Sequence, residues 1–287
     1  MIRKIAVFII ILALFLPLEA EAVSISPLRQ AVSIEKGEKK QVQVSVKNTS
    51  DSRKKFVPEV SGFDLNSRGS INYEAESIAE DWLLYDRNPF VLDPGEEKEV
   101  SFTINIPNEA KSKSYYLVLF IKRAGIERKM AASPKVGSLL FVHVAGTRVE
   151  KMSIDSFVSS RNYYFSTPVN INMNTRNLGS IHVIPQGAVS ILDNGEVVAK
   201  KEINKSKQMV LPDGTFSREL SFSNLNWTET GKLKAVAYLK YGRTSKTTSA
   251  STEFWFIPKK VLIFTGVLII ALLFLLFRLK SKIKKYD

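Results

Sequence analysis

Apolar and polar residues alternate with a period of two through Val42, Val44 and Val46, and again through Val100, Phe102, Ile104 and Ile106. Successive side chains of a strand point to opposite faces, so this spacing predicts half-buried β-strands. Turn signals separate such runs at short intervals: Gly37-Glu38, Asn48 to Asp51, Asp93-Pro94-Gly95, Pro107-Asn108 and Asp193-Asn194-Gly195. Each brings the φ freedom or the preset φ that a tight turn needs. One short helical turn is predicted near Glu74 to Leu83, and no longer helical periodicity precedes residue 258. The pattern predicts an all-β fold of two tandem immunoglobulin-like β-sandwich domains. Gly137-Ser-Leu-Leu-Phe-Val-His-Val144 reads as the last strand of the first, and a fresh alternation begins at Val149, so the domains are expected at 23–147 and 148–257. Each half opens with a strand and then reaches an Asn-rich turn, Asn48-Thr49-Ser50 and Asn177-Leu178-Gly179.

Two apolar blocks bracket this β region. The first runs from Ile5 to Leu16 behind Arg3 and Lys4 and ends in Pro17 and Ala20-Glu21-Ala22, the three-part plan of a secretory signal peptide. Residues 1–22 are therefore expected to be removed, with Ala20 and Ala22 forming the cleavage signal and Val23 the new N-terminus. The second block, Val261 to Phe277, spans about 26 Å as a helix, and Lys259, Lys260 and Arg278 can snorkel to the two interfaces. A transmembrane helix with flanks is expected at 258–279. A buried core helix would need cover on every side, and only a basic tail follows. That tail, 280–287, carries four lysines, and with Arg278 the positive-inside rule keeps it in the cytoplasm. The expected location is the cell membrane, crossed once, with both domains extracellular.

Charge and cysteine content narrow the class of protein. The net charge is +13; the leader is balanced and the segment from Pro258 holds seven basic residues and Asp287, which leaves +7 on the exported part. That excess is spread along the chain, as on an ordinary solvated surface, and no nucleic-acid partner is expected. Attraction to anionic wall polymers or lipid headgroups is the competing reading of the same excess. The chain has no cysteine, so an exported protein of this length must hold itself together by core packing, which fits a bacterial surface better than an animal one.

Catalytic chemistry finds little foothold. The two histidines, His143 and His182, sit far apart in strand-like apolar settings, and there is no thiol, nucleophile elbow, zinc-protease helix or phosphate-cradling loop. No catalytic, cofactor-binding or metal-ligating residue is assigned and no enzyme activity is expected, although a carboxylate pair assembled only in the fold stays open. Trp82 and Phe90 are the candidate aromatic contact, a glycan-stacking platform if both lie on a loop and core plugs if they do not. Phe254-Trp255-Phe256 reads either as an interfacial belt or as a last strand with its two phenylalanines turned inward.

The chain resembles a known family in Ser26-Pro27, Lys36-Gly37-Glu38, Val44-Ser-Val-Lys-Asn48, Trp82-Leu83-Leu84, Phe90-Val-Leu-Asp-Pro-Gly-Glu96, Val100-Ser-Phe-Thr-Ile-Asn-Ile-Pro107 and Tyr115-Tyr116-Leu117-Val118. In its second half the resemblance continues through Asn177-Leu-Gly-Ser180, Pro185-Gln-Gly187, Val210-Leu-Pro212 and Ala237-Tyr-Leu-Lys-Tyr-Gly242. Together these are similar to the bacterial WxL-interacting surface proteins. That resemblance implies an exported, membrane-anchored chain whose first domain contacts peptidoglycan and whose second contacts surface or host proteins. It also implies a fold similar to pilus-assembly chaperones. The chain departs from the family at Lys111-Ser-Lys-Ser114, where a glycine usually precedes the Tyr-Tyr strand. The expected function is a membrane-anchored binding or scaffold protein contacting cell wall and other surface proteins, with a chaperone-like assembly factor for exported subunits as the alternative.

Overall fold

The computed structural model describes residues 23–124 and 135–283. The expected cleavage signal at Ala20 and Ala22 lies outside the described residues, of which Val23 is the first. The chain forms two compact units that divide between Gly146 and Thr147, with the stretch Asp64–Asn72 counted in the second.

The first unit is built from β1 (Val23–Ser26), β2 (Arg29–Ile34), β3 (Lys39–Asn48), β4 (Lys54–Leu65), β5 (Ile71–Ala75), a 3-10 helix (Ile78–Trp82), β6 (Leu83–Tyr85), β7 (Phe90–Leu92), β8 (Glu97–Asn105), β9 (Ser114–Arg123) and β10 (Lys135–Val144). One sheet has the order β1-β3-β8-β6, and the other β2-β10-β9-β4-β5 with β7 beside β4. The alternating valines of β3 and the alternating Val100, Phe102 and Ile104 of β8 all turn inward and are buried. Leu117, Leu119, Ile121, Leu140 and Val142 join them from the second sheet in one core. The chain changes sheets early: β1 pairs antiparallel with β3, and after a cis Ser26–Pro27 bond β2 pairs parallel with β10.

The second unit contains β11 (Met152–Ser159), β12 (Tyr163–Tyr164), β13 (Val169–Asn177), β14 (Gln186–Asp193), β15 (Glu196–Ile203), β16 (Thr215–Phe222), β17 (Gly231–Tyr241) and β18 (Lys246–Phe256). They form sheets of order β11-β13-β16 and β12-β18-β17-β14-β15 over a separate core that includes Val169, Ile171, Phe216, Leu233 and Phe254. The β14–β15 hairpin turns at Asn194 (φ 48°) and Gly195 (φ 93°), the left-handed pair that a two-residue hairpin loop requires. Each unit is thus a two-sheet sandwich of the immunoglobulin-like kind, antiparallel but for one parallel edge strand, β2 in the first and β12 in the second, and held by packing without a disulfide. Beyond β18, α1 (Lys259–Ile283) includes the 20 residues Lys259–Arg278, long and apolar enough to cross a membrane and 0% buried.

One local device occurs in both units. Asn48, at the end of β3, is fully buried, and its amide donates to the carbonyls of Ser52, Leu92 and Asp93 while its oxygen accepts from the Ser50 N–H. Asn177, at the end of β13, is equally buried and donates to Ile181 and Val210 while accepting from the Gly179 N–H. Each ties a strand end to the turn opposite, Asp93–Glu96 in one unit and Leu211–Gly214 in the other. Loop carbonyls that would otherwise be buried without partners are satisfied this way.

Candidate binding surfaces

A strand at a sheet edge presents one row of N–H and C=O groups that its own sheet does not use. In β10 the parallel partner β2 covers only Leu139 to Val144. The covering segment is pinned at its start, where the Ser138 hydroxyl donates to the Pro27 carbonyl at 2.6 Å and the Leu139 N–H to the Leu28 carbonyl at 2.9 Å. Backbone groups of alternate residues face the same side, so those of Gly137 and Lys135 face the edge that Leu139 faces. Among the described residues no strand pairs with that edge at Lys135–Gly137.

The face beside this open edge is aromatic. Tyr116 and Phe120 of β9 point away from the sandwich core; Tyr116 packs against Phe141 at 5.2 Å and Phe63 at 5.7 Å, and Phe120 against Tyr73 at 6.0 Å. Two cations cap the rings, Arg29 over Phe141 at 4.1 Å and Lys135 over Phe120 at 4.2 Å. Gly137 has to be glycine here, because a Cβ would stand 2.6 Å from Val118 and 2.9 Å from the Phe120 ring. Phe63, Tyr116, Phe120 and Phe141 are buried in this cluster, so what lies beside the Lys135–Gly137 edge is the exposed Tyr73 ring and the cationic groups; an edge without a strand partner among the described residues is the element that strand addition uses.

Trp82 and Phe90 both pack into the first unit instead of forming an exposed platform. A capping box seats the 3-10 helix, with Glu80 accepting from the Ser77 N–H at 3.0 Å and from the Gly62 N–H at 2.8 Å. This places Trp82, 7% exposed, edge-on to Tyr115 at 4.5 Å. Burial pushes the Tyr115 phenol above its ordinary range, and its hydroxyl donates to the Lys111 carbonyl at 3.3 Å. Phe90 is half-buried, 5.9 Å from Phe56, with the Lys98 ammonium 4.8 Å from its ring. His143 in β10 lies with Nδ1 3.3 Å from the Ser114 hydroxyl. Among the described residues no group of three or more His, Asp or Glu could hold a metal ion.

Of the two readings of Phe254-Trp255-Phe256, the inward one holds for the phenylalanines, which are 2% exposed, while Trp255 faces outward at 41%. The second unit also has a buried carboxylate. Glu150 accepts from the Arg243 N–H at 2.9 Å and the Thr244 hydroxyl at 3.2 Å. Desolvation works against its charge, but these bonds and the nearby Lys246 outweigh it and hold the carboxyl below its ordinary range. It fastens the β17–β18 turn, where Gly242 (φ 73°) is required because a Cβ would meet the Glu150 oxygen at 2.3 Å. An open trough of about 630 Å³ lies over β14, β15 and β17, lined by Gly187, Lys200, Glu202, Lys205, Tyr238 and Lys240 among others. Lys205 is paired with Glu202 at 3.2 Å.

No family model matches the chain, and no curated protein matches it, so the likeness to WxL-interacting proteins stands on the quoted residues alone. Solved structures of similar fold include the class 5 fimbriae chaperone CfaA, with 14% identity and a TM-score of 0.43 over 81% of this chain and 99% of that one. The E. coli chaperone DraB has 13% identity and a TM-score of 0.38 over 81% of this chain and 95% of its own. A third is the Salmonella enterica complex of SafA pilin with the SafB chaperone, at 11% identity and a TM-score of 0.38 over 82% of this chain and 96% of that one. The likeness is one of fold, and the assignment of two immunoglobulin-like sandwiches rests on the strand pairing above.

Proposed function

We propose that this chain is a membrane-tethered assembly factor whose two sandwiches lie outside the cytoplasmic membrane and hold exported surface proteins by strand addition. The observation that carries the proposal is the edge of β10 at Lys135–Gly137, which no strand among the described residues covers, beside the Tyr73 ring and the Lys135 ammonium on a strand otherwise fixed by β2. A sheet edge of this kind binds an extended segment through its main chain, so it accepts many sequences, and a cytoplasmic location would expose it to unwanted pairing. The apolar helix supplies the tether. A wall-binding scaffold is the function the sequence points to first, but Trp82, the ring best suited to stack on a sugar, is turned into the core, and the assembly-factor alternative is the one proposed here. Among the structures of similar fold are a fimbriae chaperone and a complex of a pilin with a chaperone; what supports the proposal in this chain is its own β10 edge.

Photo-crosslinking tests the edge directly. With a benzophenone amino acid in place of Leu28, which is exposed where β2 begins and the β10 edge opens, in the full-length chain in living cells, adducts with exported subunits are expected; they should vanish when Lys135→Pro blocks the edge. The same probe at Lys200 in the second unit serves as reference. Equal adducts at both positions, or adducts insensitive to Lys135→Pro in a chain whose melting temperature is unchanged, would overturn strand addition at β10.

A further inference from the structure

The end of the second unit from which α1 departs carries four large exposed aromatic residues drawn from three separate segments. Tyr163, Phe165, Trp227 and Trp255 are 55%, 46%, 56% and 41% exposed. Strand pairing and hydrogen bonds bring them to the helix start. Tyr163 is the parallel partner of Trp255, and the Trp255 N–H donates to the Asn162 carbonyl at 2.8 Å. The Lys259 N–H, at the first residue of α1, donates to the Phe165 carbonyl at 2.9 Å. Trp227 lies in the turn that leads to Thr230, whose hydroxyl donates to the Phe256 carbonyl at 3.1 Å, and Gly231 pairs with Phe256.

This end is also held firmly. The Tyr164 hydroxyl donates to the Asn170 carbonyl at 2.9 Å and accepts from the N–H groups of Arg161 and Asn170 at 3.2 and 3.3 Å, while its ring packs on Phe254 at 5.6 Å. With Tyr164 locked inward, its neighbours Tyr163 and Phe165 are displayed outward. Large apolar side chains gathered in one exposed place need an occupant. Continuity with α1 identifies it, because aromatic rings are most favourably placed at the headgroup level where a transmembrane helix leaves the bilayer. Lys259 and Lys260, both exposed, add positive charge suited to phosphate headgroups.

We infer that the base of the second unit rests on the bilayer, with Tyr163, Phe165, Trp227 and Trp255 forming a collar in the lipid interface around the root of α1. The inference rests on α1 spanning the membrane. It makes the tether a seat as well as a leash, since the unit that emerges first from the membrane is held against it.

Tryptophan fluorescence separates this from a freely swinging unit. The chain has three tryptophans, Trp82 in the core of the first unit, Trp227 and Trp255, and α1 contains none. Trp227 is the decisive reporter because it is remote in sequence from the helix. The full-length chain carrying Trp255→Phe is reconstituted into phosphatidylcholine vesicles whose acyl chains are brominated near the headgroup, and is compared with the chain carrying Trp227→Phe and Trp255→Phe. Both changes lie at exposed positions, so both chains should fold. The collar predicts quenching in the first chain that is lost in the second. Equal quenching in the two chains, with the protein resisting an alkaline wash, would overturn the collar while leaving the spanning helix intact. Release by the wash would remove the spanning helix and the collar with it.

Discussion

Asn48 and Asn177 show how much depends on single polar groups in a fold without disulfides. Each sits at the end of a strand that alternates in the sequence, and each begins an Asn-rich turn, so the turns are visible before the fold is known. Their burial is not, because a turn asparagine ordinarily faces water. Here the amide closes a ring of main-chain carbonyls across the sandwich, and truncation leaves those carbonyls in the core without donors. A buried polar group left unpaired costs about 1–3 kcal/mol, so Asn48→Ala and Asn177→Ala are each expected to destabilise their unit by roughly 2–4 kcal/mol. Asn174→Ala, at an exposed position on β13 whose amide donates to the Ser156 hydroxyl, should change stability by less than about 0.5 kcal/mol. Denaturant unfolding of the three variants checks this; similar small losses at all three would mean that the buried network carries no particular weight.

At the scale of the strand, legibility followed one-sided burial. β3 and β8 have the core on one face and water on the other, and their period of two is plain in the sequence. β9 lies in the middle of its sheet with Tyr116, Val118 and Phe120 buried on one face and Tyr115, Leu117 and Leu119 on the other, so its continuous apolar run has no period to read. The pairing of β2 with β10 was illegible for another reason: it joins residues more than a hundred positions apart in parallel, and only Ser26-Pro27 marks the change of sheet. The collar aromatics were missed likewise, since Tyr163, Phe165 and Trp227 are scattered through loops and a short strand, and only β12, β18 and the turn before β17 bring them to Trp255. The β10 edge makes its own prediction for amide exchange. In detergent-solubilised full-length chain, the Leu139 amide, which donates to the Leu28 carbonyl, should exchange far more slowly than those of Gly137 and Lys135, which face the side of β10 away from β9, where no strand among the described residues pairs with them. Equal protection along β10 would mean that the edge is already occupied.

For the whole molecule, the described residues form two disulfide-free sandwiches and one long apolar helix, and the proposed binding role depends on where the sandwiches are displayed. The sandwiches were legible from turn spacing and the helix from sheer apolar length, whereas the partner is read from an edge that exists only after folding. Topology is the claim on which the rest depends, and the absence of native cysteine makes it simple to test. Single cysteines are placed by Lys205→Cys, in the second unit, and Lys285→Cys, in the basic tail, and exposed to a membrane-impermeant maleimide. The account predicts labelling of Lys205→Cys in intact cells and of Lys285→Cys only after the cells are opened. Labelling of Lys285→Cys in intact cells with Lys205→Cys protected would contradict it.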